Sequence, residues 1–407
     1  MKLKISDPIV VSRGPDSRTT GWGPYQFPAL TMLPDGRILC THSVGADSCS
    51  EYGKKATGNC HISEDGGKTW NPAVLEDFDL VRGTLLPNGD RIRNAPHRSI
   101  PVTEDMNFGE YAGFVKRKAQ NCYRVDSVDP KLCAHTWNLA RVKAGSGKEE
   151  IHPVKLNWEN MIYRVCQGYL VQPINMGVFR VGPDGTLWTT HYDIGNGPAD
   201  NKFNGYLANY LLRSTDNGYT WDIAHYLPYD PEKIPHPDAG DWEGFGENNM
   251  AFTPDGSIIR LVRTNGSGLK GPGLLYIVRS EDNGSTWSEP EIFDRLGVWP
   301  RLLTLGCGVT LASYGRPGFF VRATDDPACK KWEDPIALIH TEYDPAKRII
   351  NRNMLEQGSC NYSDMIALDD RTALLAHSDF TVKDENGVPR KTIVVRRITV
   401  EPDTDVQ

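Results

Sequence analysis

The sequence predicts an all-β fold, a six-bladed β-propeller of four-stranded antiparallel blades. Three observations carry that prediction. One turn motif recurs along the chain, a second turn motif precedes its copies, and the composition favours short strands. The 407 residues include 39 Gly, 28 Pro, 16 Tyr and 10 Trp. That mixture suits many strands joined by tight turns better than long helices.

The first motif is Ser-x-Asp-x-Gly-x-Thr-Trp. It reads SEDGGKTW at 63–70, STDNGYTW at 214–221 and SEDNGSTW at 280–287. The Asp carboxylate can accept backbone N–H bonds within a turn. The Gly supplies a positive φ, the Thr opens a strand, and the Trp covers apolar surface beside the turn. Degenerate copies run from Asp129 to Trp137 and from Asp325-Asp326 to Trp332.

The second motif joins adjacent antiparallel strands. It appears as Pro34-Asp35-Gly36, Pro87-Asn88-Gly89, Pro183-Asp184-Gly185 and Pro254-Asp255-Gly256. Leu305-Gly306-Cys307-Gly308 and Leu368-Asp369-Asp370-Arg371 are degenerate forms, which makes six turn sites. Repeats of this length with several strands each read as propeller blades. The gap from Asn88 to Asp184 has room for a seventh; six is the count taken here. KTIVVRRITV at 391–400 reads as a strand, and KISDPIVV at 3–10 can pair with it and close the ring. Closure removes exposed sheet edges. One domain then spans 1–407, with an insertion expected within 90–165.

Composition narrows the function classes. The net charge is −7 with no basic block, so nucleic acid is not an expected partner. No window approaches 18 apolar residues, so no membrane span is expected. The N-terminal stretch carries Asp7 and Pro8 where a signal peptide needs a long apolar run. Nine scattered cysteines without a CxxC pair fit reduced thiols in a cytoplasmic protein. Cys40, Cys49 and Cys60 match no zinc spacing, and no metal or other cofactor is expected.

The three turn motifs resemble the Asp-boxes of the sialidase superfamily, also called BNR repeats. Such boxes also occur in sorting receptors, photosystem assembly factors and xyloglucan-cleaving enzymes. They lie on the outer rim of those folds, so Asp65, Asp216 and Asp282 are expected to be structural. The resemblance implies a glycoside hydrolase with an axial cleft. In that family the cleft holds an arginine triad, an acid/base Asp, and a Tyr paired with a Glu. The logic is physical: guanidinium groups grip a substrate carboxylate, and a neutral Tyr attacks where a charged nucleophile would be repelled.

Carried onto this chain, the resemblance implies the following roles. Gln26, in Tyr25-Gln26-Phe27-Pro28, stands where the first arginine is expected. Replacing that guanidinium by an amide forfeits a charge-assisted contact worth about 1.5–3 kcal/mol. Arg13 and Arg18 are the nearby cations. Asp47, in ILCTHSVGADSCSEYGKK, fits the acid/base position, with Glu51 the nearest competitor. Glu247, with Glu243 as rival, fits the Glu that activates the nucleophile. Arg263 and Arg316 fit the second and third arginines; strand alternation aims Arg260 at the opposite face from Arg263. Tyr362, in GSCNYSDMIALDD, fits the nucleophile.

Arg91, Arg93, His97 and Arg98 form a basic knot after the second turn, and Trp242 and Trp299 flank candidate loops. The implied activity is exo-hydrolysis of a terminal, acidic or highly hydroxylated sugar, with a carbohydrate as the partner. An exo-arabinanase-like enzyme on neutral sugars and a non-catalytic binding propeller are the alternatives.

Overall fold

The structure is a computed structural model. It describes residues 1–45, 47, 58–95, 100–115, 120–124, 137–157, 162–166, 168–171, 177–194, 203–266, 273–342 and 358–401. Among these residues the chain is strand and turn, with short 3-10 turns and no α-helix.

Six successive antiparallel meanders account for most of the strands. The first runs Gln26–Met32, Ile38–Ser43, Gly58–Ser63 and Asn71–Ala73. The second is Thr84–Leu85, Arg91–Asn94, Asn138–Val142 and Glu149–Pro153. The third is Arg180–Val181, Leu187–Ile194, Leu207–Ser214 and Thr220–Leu227, and Lys155–Asn157 adds a parallel strand to its edge. The fourth is Gly244–Phe252, Ile258–Asn265, Leu275–Ser280 and Glu291–Asp294. A single parallel pairing, Leu207 with Gly244, joins the third and fourth into one nine-stranded sheet. The fifth is Arg301–Thr304, Thr310–Gly315, Phe319–Thr324 and Ile336–Ile339. The sixth is Ser363–Ala367, Thr372–Asp379 and Arg390–Glu401, completed by Lys2–Ile5 and Ile9–Asp16 from the other end of the chain.

The six predicted turns close in the same way. In each, an N–H donates to the carbonyl four residues on: Leu33 to Arg37, Leu86 to Asp90, Gly182 to Thr186, Thr253 to Ser257, Leu305 to Val309 and Leu368 to Thr372, all at 2.7–2.9 Å. The Trp motifs also share one geometry. Asp65 accepts from the backbone N–H groups of Lys68 and Thr69 at 2.9 Å and from the Thr69 hydroxyl at 2.6 Å. Trp70 Nε1 donates to the Gly67 carbonyl at 3.2 Å, and Trp221 and Trp287 repeat this bond to Gly218 and Gly284. Those three glycines have φ between 84° and 88°. In the degenerate copy, Trp332 Nε1 donates to Cys329 at 2.8 Å, and Cys329 takes φ 51° without being glycine. Asp129 lies outside the described residues; Trp137 Nε1 instead donates to Asn94.

The core lies between neighbouring meanders. Leu86, Ile92 and Leu139 of the second pack on Leu187, Tyr210 and Trp221 of the third. Trp188 and Leu211 meet Met250 and Ile258 across the next seam. Leu30 and Ile38 of the first meet Leu374 and Val395 of the sixth, joining the two ends of the series. One strand from each of five meanders packs on the next: Leu187–Ile194 on Gly244–Phe252, that on Arg301–Thr304, that on Ser363–Ala367, and that on Gln26–Met32. Each seam is apolar on both sides, so burial drives the sheets together face to face.

One sheet stands apart from the series. Ile100–Pro101, Tyr111–Val115, Gln120–Arg124, Ile162–Cys166 and Tyr169–Val171 form five strands drawn from either side of the second meander's last two strands. Val115, Cys122 and Ile162 pack it against Ile194 and Leu207 of the third meander. An Arg164–Asp193 ion pair at 2.9 Å reinforces the contact.

Candidate active site

Four of these five packed strands meet around one space. A cavity of about 450 Å³ lies there, lined by Leu30, Arg93, Tyr192, Glu247, Trp299 and Arg301 among others. Five of the six meanders supply those residues. The sixth contributes Asp364 beside it, whose carboxylate accepts from the Leu30 N–H at 2.9 Å and pairs with Arg301 at 3.5 Å.

Glu247 reaches this centre because its strand is irregular. The pairing of Gly244–Phe252 with Ile258–Asn265 shifts register between Phe245 and Asn248. A bulge of this kind re-aims a side chain out of the regular alternation. Glu247 is 7% exposed. One carboxylate oxygen is ion-paired with Arg263 Nη1, and the other accepts from the Tyr362 hydroxyl at 3.5 Å.

Tyr362 precedes strand Ser363–Ala367 and is held from both sides. Upstream, the Ser359 hydroxyl donates to the Ser378 carbonyl at 2.7 Å, and the Cys360 N–H donates to the Ser378 hydroxyl at 3.1 Å. Asn361 donates to the Gly318 carbonyl. Downstream, the Ser363 carbonyl accepts from Trp299 Nε1 and Arg301 Nε, both at 3.0 Å. Phe27 and Trp299 pack on the phenol ring, with centroids at 4.1 and 4.9 Å. Burial, then the charge of Glu247, pushes the Tyr362 phenol well above its ordinary pKa; Arg316 and Arg263 pull the other way. The hydroxyl therefore stays protonated until a base takes its proton.

Arg263 feels opposing effects. Burial disfavours its charge, while Glu247, Tyr362 and Tyr192 favour it, and the net shift is upward. Arg316 ends strand Thr310–Gly315. Its Nη2 donates to the Cys360 carbonyl at 2.5 Å, and its guanidinium lies 4.7 Å from the Trp22 ring and 5.3 Å from the Tyr362 ring. Trp22 Nε1 donates to Asp47 at 3.1 Å, which fixes an exposed carboxylate at the edge of the cluster.

Asp47, Glu247, Arg263, Arg316 and Tyr362 thus form one connected group, although up to 315 positions separate them in the chain. Gln26 heads strand Gln26–Met32 and is fully buried, with neither amide atom hydrogen-bonded among the described residues. Its neighbour Phe27 packs on the Tyr362 ring. The rivals go elsewhere. Arg13 pairs with Glu385, Arg18 with Asp16, and Glu243 accepts from Asn265. Arg260 faces away from Arg263, toward His225 and Trp287. Arg93 lines the cavity while paired with Asp79 and Glu149, and Arg91 donates to the Gly83 carbonyl. Trp242 is core, packed with Tyr229 and Phe245, whereas Trp299 lies at the site. Glu51, His97 and Arg98 lie outside the described residues.

Two participants carry no sequence signal strong enough to find them. Tyr192 lines the cavity, and its phenol is raised by burial and then by Glu247 and Tyr362. Trp22 bridges Asp47 and Arg316. Each sits in an ordinary strand or loop string, and only the assembled centre shows its place.

The arrangement can move one proton and present one oxygen nucleophile. Glu247 can take the Tyr362 proton while Arg263 balances the carboxylate, and Arg316 lies against the ring whose oxygen becomes charged. Asp47 offers a solvent-facing carboxylate on the other side of Trp22. Among the described residues no group of three His, Cys, Asp or Glu side chains is placed to hold a metal ion.

No protein-family model and no curated protein matches the chain. Several solved structures resemble it. The crystal structure of a protein of unknown function from Dyadobacter fermentans aligns with a TM-score of 0.62 at 17% identity, over 98% of this chain and 99% of that one. Penicillium chrysogenum α-L-arabinanase, in complex with arabinobiose, aligns with a TM-score of 0.47 at 13% identity, over 96% and 98%. Trypanosoma rangeli sialidase, in complex with DANA, aligns with a TM-score of 0.47 at 14% identity, over 97% of this chain and 59% of that one. The chain shares its fold, end to end, with the Dyadobacter protein.

Proposed function

We propose that this protein is an exo-acting glycoside hydrolase built on a single six-bladed, sialidase-like propeller spanning 1–407. In this reading Tyr362 attacks the anomeric carbon, Glu247 takes its proton, and Asp47 protonates the leaving oxygen. Gln26, Arg263 and Arg316 bind the sugar. The extra sheet drawn from 100–171 is the inserted part of the domain. Tyr nucleophiles are a known exception to the two-carboxylate rule for glycosidases. The supporting observation is the Glu247–Tyr362 pair between two arginines, with an acid fixed at the edge. A structural role gives no reason to bury a Tyr hydroxyl against a carboxylate that is already paired.

The charge arrangement favours a neutral terminal sugar over an acidic one. Arg263 is paired by Glu247, Arg316 donates to a backbone carbonyl, and the residue at the first-arginine position is the uncharged Gln26. An acidic sugar would have to compete for both guanidinium groups. A cytoplasmic setting remains part of the proposal, and the seven described cysteines, all free thiols, are in keeping with it.

The test is a glycan digest with mass detection of the released sugar. We expect a monosaccharide from chain ends, a pentose or hexose before a sialic acid. Tyr362→Phe should end turnover while glycan affinity stays close to that of the unaltered protein. Turnover that survives this substitution removes Tyr362 from the mechanism. Binding without turnover in the unaltered protein makes it a lectin-like propeller instead.

A further inference from the structure

Arg260 is a fully buried cation, and among the described residues no carboxylate pairs with it. Its partners are neutral. Nη1 donates to His225 Nδ1 at 2.6 Å, while Nη2 donates to the Asn209 and Asn248 side-chain oxygens, the latter at 3.3 Å. Its guanidinium carbon lies 5.6 Å from the Trp287 ring. His225 stacks flat on that ring, at 4.3 Å and 4°. Burial, followed by the adjacent Arg260, pushes the imidazole far below its ordinary pKa, so Nδ1 remains an acceptor.

Burying a guanidinium with no carboxylate partner is costly. What Arg260 holds gives the cost a purpose. Asn209 Nδ2 donates to the Gly246 carbonyl at 2.7 Å, and Asn248 Nδ2 donates to the His191 carbonyl at 3.3 Å. The Asn248 carbonyl accepts from the Thr190 hydroxyl at 3.3 Å. Gly246 and Asn248 flank Glu247 within the bulge. Arg260 orients both amides, and the amides pin the backbone on either side of the carboxylate.

We propose that Arg260 is a positioning residue for Glu247, acting through Asn209 and Asn248 to hold the bulge that aims the carboxylate at Tyr362. This rests on the hydrolase reading above for its catalytic consequence, but the placement of Glu247 can be read without it. Arg260→Met removes the charge and the hydrogen bonds while keeping most of the volume. Expected are a modestly lower melting temperature, since His225, Asn209 and Asn248 lose their donor, a kcat lowered about 10²-fold with KM near the unaltered value, and an altered pH–rate profile. The crystal structure of the variant should show the Glu247 carboxylate moved by about 1 Å and parted from Tyr362.

Asn209→Leu removes the link to Gly246 and one acceptor of Arg260 while leaving Asn248 in place, and should give the same signature more mildly; it decides the matter if Arg260→Met does not fold. A Glu247 that keeps both of its contacts in either variant overturns the proposal, as does unaltered kcat. If the unaltered protein hydrolyses no glycoside, the hydrolase reading fails, and the crystallographic comparison still tests the positioning.

Discussion

Tyr362 sits within a shell of unusual backbone. Eight non-glycine residues among those described have positive φ, and four of them, Phe27, Trp299, Arg316 and the adjoining Asn361, lie at this side chain. Each such conformation costs about 1–3 kcal/mol and persists only where neighbours over-determine it. Here the neighbours are hydrogen bonds: Asn361 to Gly318, Arg316 to Cys360, and Trp299 to Ser363. The strain fixes where the phenol oxygen meets Glu247. On the proposed hydrolase reading, Glu247→Gln keeps the shape but removes the base, so turnover should fall on the order of 10²–10⁴-fold. The same change removes a charge that raises the phenol. Ultraviolet difference titration against Tyr362→Phe should therefore find Tyr362 ionising at lower pH in Glu247→Gln than in the unaltered protein.

At the scale of the element, the Trp turns carry local stability that depends on pH. Hydrogen bonds from Thr286, first its hydroxyl and then its backbone N–H, lower the Asp282 carboxyl to about 2. The folded value lies below the unfolded one near 3.8, so this contribution is complete above about pH 4. It fades as pH falls toward 2. Asp282→Ala should accordingly lower the melting temperature at pH 7, and the gap from the unaltered protein should narrow as pH drops from 4 to 2. A gap that stays constant over that range assigns the loss to packing instead. These turns, and the hairpins before them, were legible in the sequence because each is written in eight or fewer contiguous residues whose hydrogen bonds close on themselves. Cys329 shows where the pattern blurs: the turn keeps its form although the glycine has gone. The candidate site was legible only as separate fragments. Glu247 depends on a bulge, and bulges leave no fixed residue code; Tyr192, Trp22 and the partners of Arg260 depend on which strands lie side by side.

At the scale of the whole molecule, the sixth meander ties the two ends of the chain together. Ile9 pairs with Val395 and Lys2 with Glu401, the latter also through an ion pair at 3.1 Å. Deleting residues 1–16 should bare one edge of strand Arg390–Glu401 along its length. An exposed strand edge invites pairing with other chains. We expect a lower melting temperature and concentration-dependent aggregation, read by light scattering, while the near-central contacts of Tyr362 with Phe27 remain.

That same pairing sets a schedule for synthesis on the ribosome. Lys2–Ile5 and Ile9–Asp16 are made long before Arg390–Glu401, the strand with which they pair. Contacts so distant in sequence slow the final step of folding and leave a sticky intermediate waiting for it. The nascent chain therefore carries an unmatched β-segment until that strand emerges, and its yield in a cell should respond to chaperones that shield such segments.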